Sequence, residues 1–277
     1  MALTVNTNMA AMSAANSLNS TQGNLAETLG RVSSGMRITK AADDAAGAAV
    51  AHNLSTEARS GRQAVRNAND GISVIQTAEA ATKEVLSILD RLRELAVQSS
   101  SETLASTERA YIKTEGDELE EEIERIAQST QFNGLSLSNG ASTASLEVQV
   151  GIDATANSRI TIELQNLTLG STGLSISAID LNTATGARTA ITTLDSAIDT
   201  VNDARATYGA TQNRLDSAIS NMSNYVEALS AAASRIEDAD YAHETAEMTR
   251  MQVMQQAGVA ALGQAKGISQ SVISLLG

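Results

Sequence analysis

The hydrophobic pattern is most revealing at the two ends of the chain. Residues 251–277 hold one charged side chain, Lys266, and their apolar residues recur at spacings of three and four. Met251, Gly258, Ala265 and Val272 form one row, and Met254, Ala261, Ile268 and Leu275 form the other. That is a heptad seam and predicts a helix packed along its length. Residues 1–30 also hold a single charge, Glu27, and their row runs Ala11, Ala15, Leu18, Gln22, Leu25, Leu29, Val32 and Met36. Chain ends are ordinarily polar and frayed, so two apolar ends imply a chain built to be joined to something.

Between the ends the period is helical almost throughout. The first helix should stop near Ser33-Ser34-Gly35, with Gly35 in the left-handed position after the helix. Asp43 or Asp44 should cap the next, which continues to about Val97 on the stripe Ile75, Ala78, Thr82, Val85, Leu89, Leu92 and Ala96. Gly61 and Gly71 lie inside it at a cost of about 1 kcal/mol each, yet the stretch reads as one helix, with either glycine the place where a break would fall. A polar turn at Ser99-Ser100-Ser101 leads to a third helix, residues 104–129, with Ile112, Gly116, Leu119, Ile123 and Ile126 on one face. Its other face carries Glu118, Glu120, Glu121, Glu122 and Glu124. A metal or acid/base site is one reading of those carboxylates, but no histidine pairs with them, and a solvated face is the simpler one.

Around Phe132-Asn133-Gly134 the period changes to two. Leu146, Val148 and Val150 alternate with polar residues, as do Ile160, Ile162 and Leu164, across the turn-rich stretch 151–158. This predicts a β-hairpin lying on the helices. Residues 165–189 show no period and read as loop. From Ile191 a heptad row returns through Leu194, Ile198, Val201, Tyr208, Leu215, Ile219, Met222, Val226, Leu229 and Ile236, with Arg205 and Gln212 as polar members. Residues 190–237 would make a rod of about 72 Å at 1.5 Å per residue. The seam slips by one residue between Arg235 and Arg250, which marks a joint. The fold class is therefore mainly α: an elongated antiparallel helical bundle or coiled coil with a small β-hairpin region in the middle of the chain.

Composition narrows the function. The net charge of −13 argues against nucleic acid. Without cysteine there can be no disulfide, thiol catalysis or thiolate metal site. Proline and tryptophan are absent and aromatic residues make up 2% of the chain, which favours thin, closely packed helices over a thick enzyme core. His52 and His243 are far apart and no glycine-rich phosphate loop occurs, so neither catalysis nor a cofactor is expected. Met248, Met251 and Met254 read as seam packing. The N-terminus lacks the basic and apolar regions of a secretory signal, and no stretch approaches the roughly 20 apolar residues of a membrane span. That pattern fits a cytosolic protein, or one exported without such a signal. A membrane-surface helix would carry a basic face, which these ends do not.

Several blocks together resemble bacterial flagellins. They are Ala42-Asp43-Asp44-Ala45-Ala46-Gly47, Arg66-Asn67-Ala68-Asn69-Asp70-Gly71-Ile72-Ser73 and Arg93-Glu94-Leu95-Ala96-Val97-Gln98, followed by Gln131-Phe132-Asn133-Gly134 and Arg235-Ile236-Glu237-Asp238-Ala239-Asp240-Tyr241. The resemblance covers roughly residues 1–137 and 190–277, with only about 50 residues between, as in a minimal flagellin without added outer domains. It implies a subunit exported unfolded through the flagellar type III apparatus and polymerised outside the cell into the flagellar filament. Its partners would be further copies of itself, an export chaperone, the filament cap and the hook-junction proteins. The inner domain would comprise residues 1–42 and 235–277, the outer helical bundle 43–136 and 189–234, and a variable hairpin and loop region 137–188. On this reading the polymerisation seam holds Leu18, Leu25, Leu29 and Val32, facing Met251, Met254, Ala261, Ile268, Val272 and Leu275. The resemblance also implies contacts with an animal Toll-like receptor at Arg91, Leu95, Ile112 and Glu115, with Arg91 and Leu95 on one helix face. It implies O-glycosylation among Ser142, Thr143, Ser145, Thr155, Ser158, Ser171 and Thr172. The alternatives are a hook–filament junction protein of the same organelle, or terminal helices that pair only within one chain.

Overall fold

The structure is a computed structural model describing residues 7–140 and 145–276, with only the backbone described from 268 onward. Five helices account for most of it: α1 (Met9–Ser34), α2 (Ala45–Ser99), α3 (Ser106–Ser129), α4 (Ala184–Glu237) and α5 (Tyr241–Leu276). Four short strands lie between α3 and α4: β1 (Gln131–Phe132), β2 (Leu135–Ser136), β3 (Ser145–Gln149) and β4 (Arg159–Glu163). The chain divides into two compact units, Met1–Thr56 with Ala228–Gly277, and Glu57–Glu227.

Residues 57–227 are built on the apolar stripes of α2 and α4. Arg93 on α2 bonds Asp195 on α4 at 2.6 Å, and a Cβ on Gly71 would lie 3.5 Å from Leu215, so the helices run antiparallel. Neither Gly61 nor Gly71 breaks α2. Both are places of close approach: a Cβ on Gly61 would stand 2.5 Å from Val226, and one on Gly71 3.1 Å from Val148. One core cluster joins Val85, Leu89, Leu92 and Leu95 to Ile112 and Ile123 of α3 and to Leu194 and Val201 of α4. A second joins Ile75 and Ala78 to Tyr208, Leu215 and the hairpin residues Ile160 and Ile162.

β3 and β4 form the expected hairpin, antiparallel with Leu146 opposite Ile162 and Val148 opposite Ile160. Its apolar face lies on α2 and α4, which supplies what an isolated hairpin lacks. A smaller antiparallel pair, β1–β2, turns through Asn133 and Gly134 at φ 49° and 78°. Asn-Gly is the dipeptide that tolerates two successive positive φ angles, so the signal for this turn lay in the sequence.

The segment 165–189 differs from the expected loop in two ways. α4 begins at Ala184, taking the last residues into helix. The remainder is irregular yet contributes Leu167, Leu174, Ile176 and Leu181 to the core, all nearly inaccessible. Leu181 seats against Gly116 of α3, and the backbone N–H of Leu169 donates to Glu124 at 3.1 Å. Tyr208 accepts the N–H of Gln165 at 3.0 Å where the segment leaves β4. The acidic face of α3 is therefore not wholly solvated, since Glu120 and Glu124 lie half-buried on the row that begins at Gly116.

Candidate functional site

The unit with both terminal helices carries the candidate site, and two joints define its geometry. α1 ends at Gly35, whose φ of 72° is left-handed and whose N–H returns to the Arg31 carbonyl. α5 begins after Asp238-Ala239-Asp240. The two joints are bonded to each other: Ala239 N–H to the Gly35 carbonyl at 2.9 Å, and Arg37 N–H to the Glu237 carbonyl at 2.6 Å. The Arg37 guanidinium adds a bond to the Ile236 carbonyl at 2.7 Å. Asp44 caps α2 by accepting the Gly47 N–H at 2.8 Å. Asp43 instead accepts the N–H groups of Lys40 and Thr39, and these bonds hold its carboxyl below the usual range.

From this clamp α1 and α5 run antiparallel. Arg31 faces Glu244 at 3.7 Å, a Cβ on Gly258 would meet Leu18 at 3.2 Å, and Asn8 donates to the Ala265 carbonyl at 2.9 Å. The α5 residues turned toward α1 are Glu244, Met248, Met251, Gln255, Gly258, Leu262 and Ala265, an unbroken alternation of four and three. On α1 they are Ala11, Ala14, Leu18, Thr21, Leu25, Thr28 and Val32. One row of each expected seam, with Leu18, Leu25, Val32 and Met251, thus lies in the interface.

The other row lies outside the α1–α5 contact. Leu29 is 53% exposed and Met254 49% exposed, and Ala261 is also exposed. Thr21 and Thr28 are buried instead, because each hydroxyl donates to the carbonyl four residues back, Ser17 at 2.9 Å and Asn24 at 3.0 Å. A back-bonded threonine brings only its methyl to the partner, so it can replace an apolar residue there. Counting by threes and fours from Gly258 alone would have found this row, including Glu244. Ile268, Val272 and Leu275 lie outside the residues whose side chains are described.

The uncovered row has company. Met9, Met12, Val50, Tyr241, Val253 and Val259 are exposed in the same unit. Each helix can turn only one stripe toward a single partner, so a two-helix layer leaves its remaining apolar residues open.

The receptor-like residues of the other unit divide in two. Arg91 is half exposed and bonds Glu115 at 2.7 Å and Glu94 at 2.9 Å, bonds that raise its pKa. Leu95 is 1% exposed and Ile112 is also buried. Leu95, expected on one helix face with Arg91, is therefore absent from the surface: α3 covers that side of α2 and takes it into the core. Of the hydroxyls, Ser145, Thr155, Ser171 and Thr172 are exposed, Ser158 is half-buried against Gly151, and Ser142 and Thr143 lie outside the described residues. Among the described residues no group of His, Cys, Asp and Glu is placed to hold a metal, and no helix is long and apolar enough to cross a membrane.

The family model for the bacterial flagellin N-terminal helical region matches residues 5–143, and that for the bacterial flagellin C-terminal helical region matches 191–276. A flagellin of Halalkalibacterium halodurans is 41% identical over 272 residues, spanning 98% of this chain and 99% of that one. The flagellar filament 33 kDa core protein of Treponema phagedenis is 37% identical, again over 98% and 99%. The crystal structure of Bacillus cereus flagellin, 34% identical, superposes with a TM-score of 0.50 over 57% of this chain and 88% of that one. Helices paired at the two ends, a helical middle with one small hairpin region, and these matches agree: the chain belongs to the bacterial flagellin family.

Proposed function

We propose that the α1–α5 pair is the segment through which this protein, a structural subunit of the flagellar filament and not an enzyme, joins further copies of itself. The observation that carries the reading is the set of large apolar residues left uncovered around the terminal helices, Met9, Met12 and Leu29 on α1 with Val253, Met254 and Val259 on α5. Large apolar side chains left in water on helices already packed along one stripe are best covered by other helices of the same kind. The seam expected from the sequence, Leu18, Leu25, Leu29, Val32, Met251, Met254, Ala261, Ile268, Val272 and Leu275, then divides between two tasks. Its inner row pairs α1 with α5, and its outer row meets neighbouring subunits.

The same uncovered helices suit the remaining partners of such a subunit. An export chaperone would cover them before export, and the filament cap and hook-junction proteins would meet them at the ends of the polymer. Delivery to the outside of the cell through a type III route follows from this reading. An animal Toll-like receptor would find only Arg91 and Glu115 accessible, so Arg91→Ala should lower the signal of purified monomer in a reporter-cell assay.

Removing residues 251–277, or placing Asp at Met254, tests the assembly reading. Both proteins should remain helical monomers by circular dichroism and form no filaments by electron microscopy. Filaments from either would overturn it.

A further inference from the structure

With no cysteine and no tryptophan in the chain, methionine is its most readily oxidised side chain. Of the 8 methionines, only Met222 falls within Glu57–Glu227; all the others belong to the unit that holds α1 and α5. Met9 and Met12 on α1 are 62% and 50% exposed, and Met254 on α5 is 49% exposed. Met248 and Met251 are partly covered in the α1–α5 seam. Oxidisable sulfur is thus concentrated on the assembly helices, and its accessible part lies on both of them.

We propose that Met9, Met12 and Met254 form an oxidation site that decides whether a free subunit can enter the polymer, the oxidant being a two-electron oxygen-transfer reagent such as hydrogen peroxide. The proposal rests on the assembly reading above. In the reaction a sulfur lone pair attacks one peroxide oxygen, an S–O bond forms and the O–O bond breaks. The departing hydroxide takes up the proton from the transferred oxygen and leaves as water. Each thioether is oxidised by two electrons to the sulfoxide, and each peroxide is reduced by two. The product is polar and chiral where the thioether was flexible and apolar. Covering it with a neighbour's apolar side chains leaves the sulfoxide oxygen without a hydrogen-bond donor, an unfavourable burial. Direction follows from the geometry: the three sulfurs are open in the free subunit and covered once copies join, so oxidant acts before incorporation and not after.

Purified monomer treated with hydrogen peroxide, mapped by peptide mass spectrometry and then seeded for polymerisation, tests this. Sulfoxide at positions 9, 12 and 254 should accompany at least a tenfold loss of sedimentable filament, with unchanged helical circular dichroism. The triple variant Met9→Leu, Met12→Leu, Met254→Leu keeps apolar side chains and helix propensity, and should polymerise equally before and after peroxide. In preformed wild-type filaments the same three residues should stay unoxidised. Full polymerisation of wild-type monomer carrying all three sulfoxides would overturn the proposal while leaving the assembly reading intact, as would loss of assembly in the peroxide-treated triple variant. If Met254→Asp and the 251–277 deletion still polymerise, the assembly reading fails, and this proposal with it.

Discussion

The two units of the chain are both mostly helical, but they bury their apolar residues to very different degrees. The unit of residues 57–227 holds every one of the largest fully buried side chains, from Ile75 to Tyr208. It has 13 basic and 24 acidic residues, a net charge of −11, on a surface around that core. The unit with α1 and α5 has 6 basic and 8 acidic residues, a net charge of −2, and leaves Met9, Met12, Leu29, Val253, Met254 and Val259 in solvent. Three long helices, a hairpin and an irregular segment can surround an apolar centre, whereas two helices can cover only one stripe of each other. Charge follows the same division. Like charge keeps surfaces apart, so the near-neutral unit is the one suited to meeting copies of itself.

A cavity made in each unit should show the largest difference between them. Leu89→Ala, at full burial, should cost about 2–5 kcal/mol in urea unfolding. Leu29→Ala should stay within about 0.5 kcal/mol on the monomer. Equal losses would mean the units are equally complete. Gly61→Val comes next, since the added side chain must displace Val226 at the α2–α4 crossing. Overpacking of that kind costs about 1–3 kcal/mol, and an unchanged unfolding midpoint would count against close approach as the reason for the glycine.

The ion pair between α1 and α5 belongs to the less buried unit. Glu244 is almost buried and Arg31 is its cross-helix partner. Glu244→Ala should weaken this pairing by about 1–2 kcal/mol, read as faster amide exchange in α1 and α5 with residues 72–97 unaffected. Equal acceleration in both units would show that they unfold together.

A modest effect belongs to Glu120. Burial, and then the charge of Asp117, push its carboxyl up to about 7, with Lys113 acting in the opposite direction. The folded chain therefore holds this proton at pH values where the unfolded chain has released it. Stability from this group is full below about pH 4.5 and declines as pH rises through 7. Because the side chain is half solvated, the loss should be only about 1 kcal/mol. Glu120→Gln should flatten that part of the stability profile between pH 5 and 8, and a profile identical to wild type would remove the assignment.

Much of this architecture was legible in the residues. The stop at Gly35, a cap at Asp43 or Asp44, a hairpin from the two period-two stretches and a joint between Arg235 and Arg250 each depend on local chemistry, acting over a few neighbours, that a sequence states directly. The apolar periodicity likewise identified both terminal helices as surfaces needing partners. What it could not determine was which of two adjacent rows faces inside the chain. Positions 28 and 29, or 254 and 255, lie about 100° apart around a helix, and the choice depends on where the partner helix lies. Thr28 is inside because its hydroxyl is satisfied by Asn24, and Leu29 is outside despite being the more apolar. Segment 165–183 shows the same limit, since Leu167, Leu174, Ile176 and Leu181 have no period by which to be recognised. Their burial depends on the gap that Gly116 leaves in α3 and on the Leu169–Glu124 bond, contacts between residues distant in sequence. Leu95 and Ile112 face inward for that reason too. Local patterning determined the elements and their apolar character; tertiary packing decided which apolar residues the chain covers itself and which it leaves exposed.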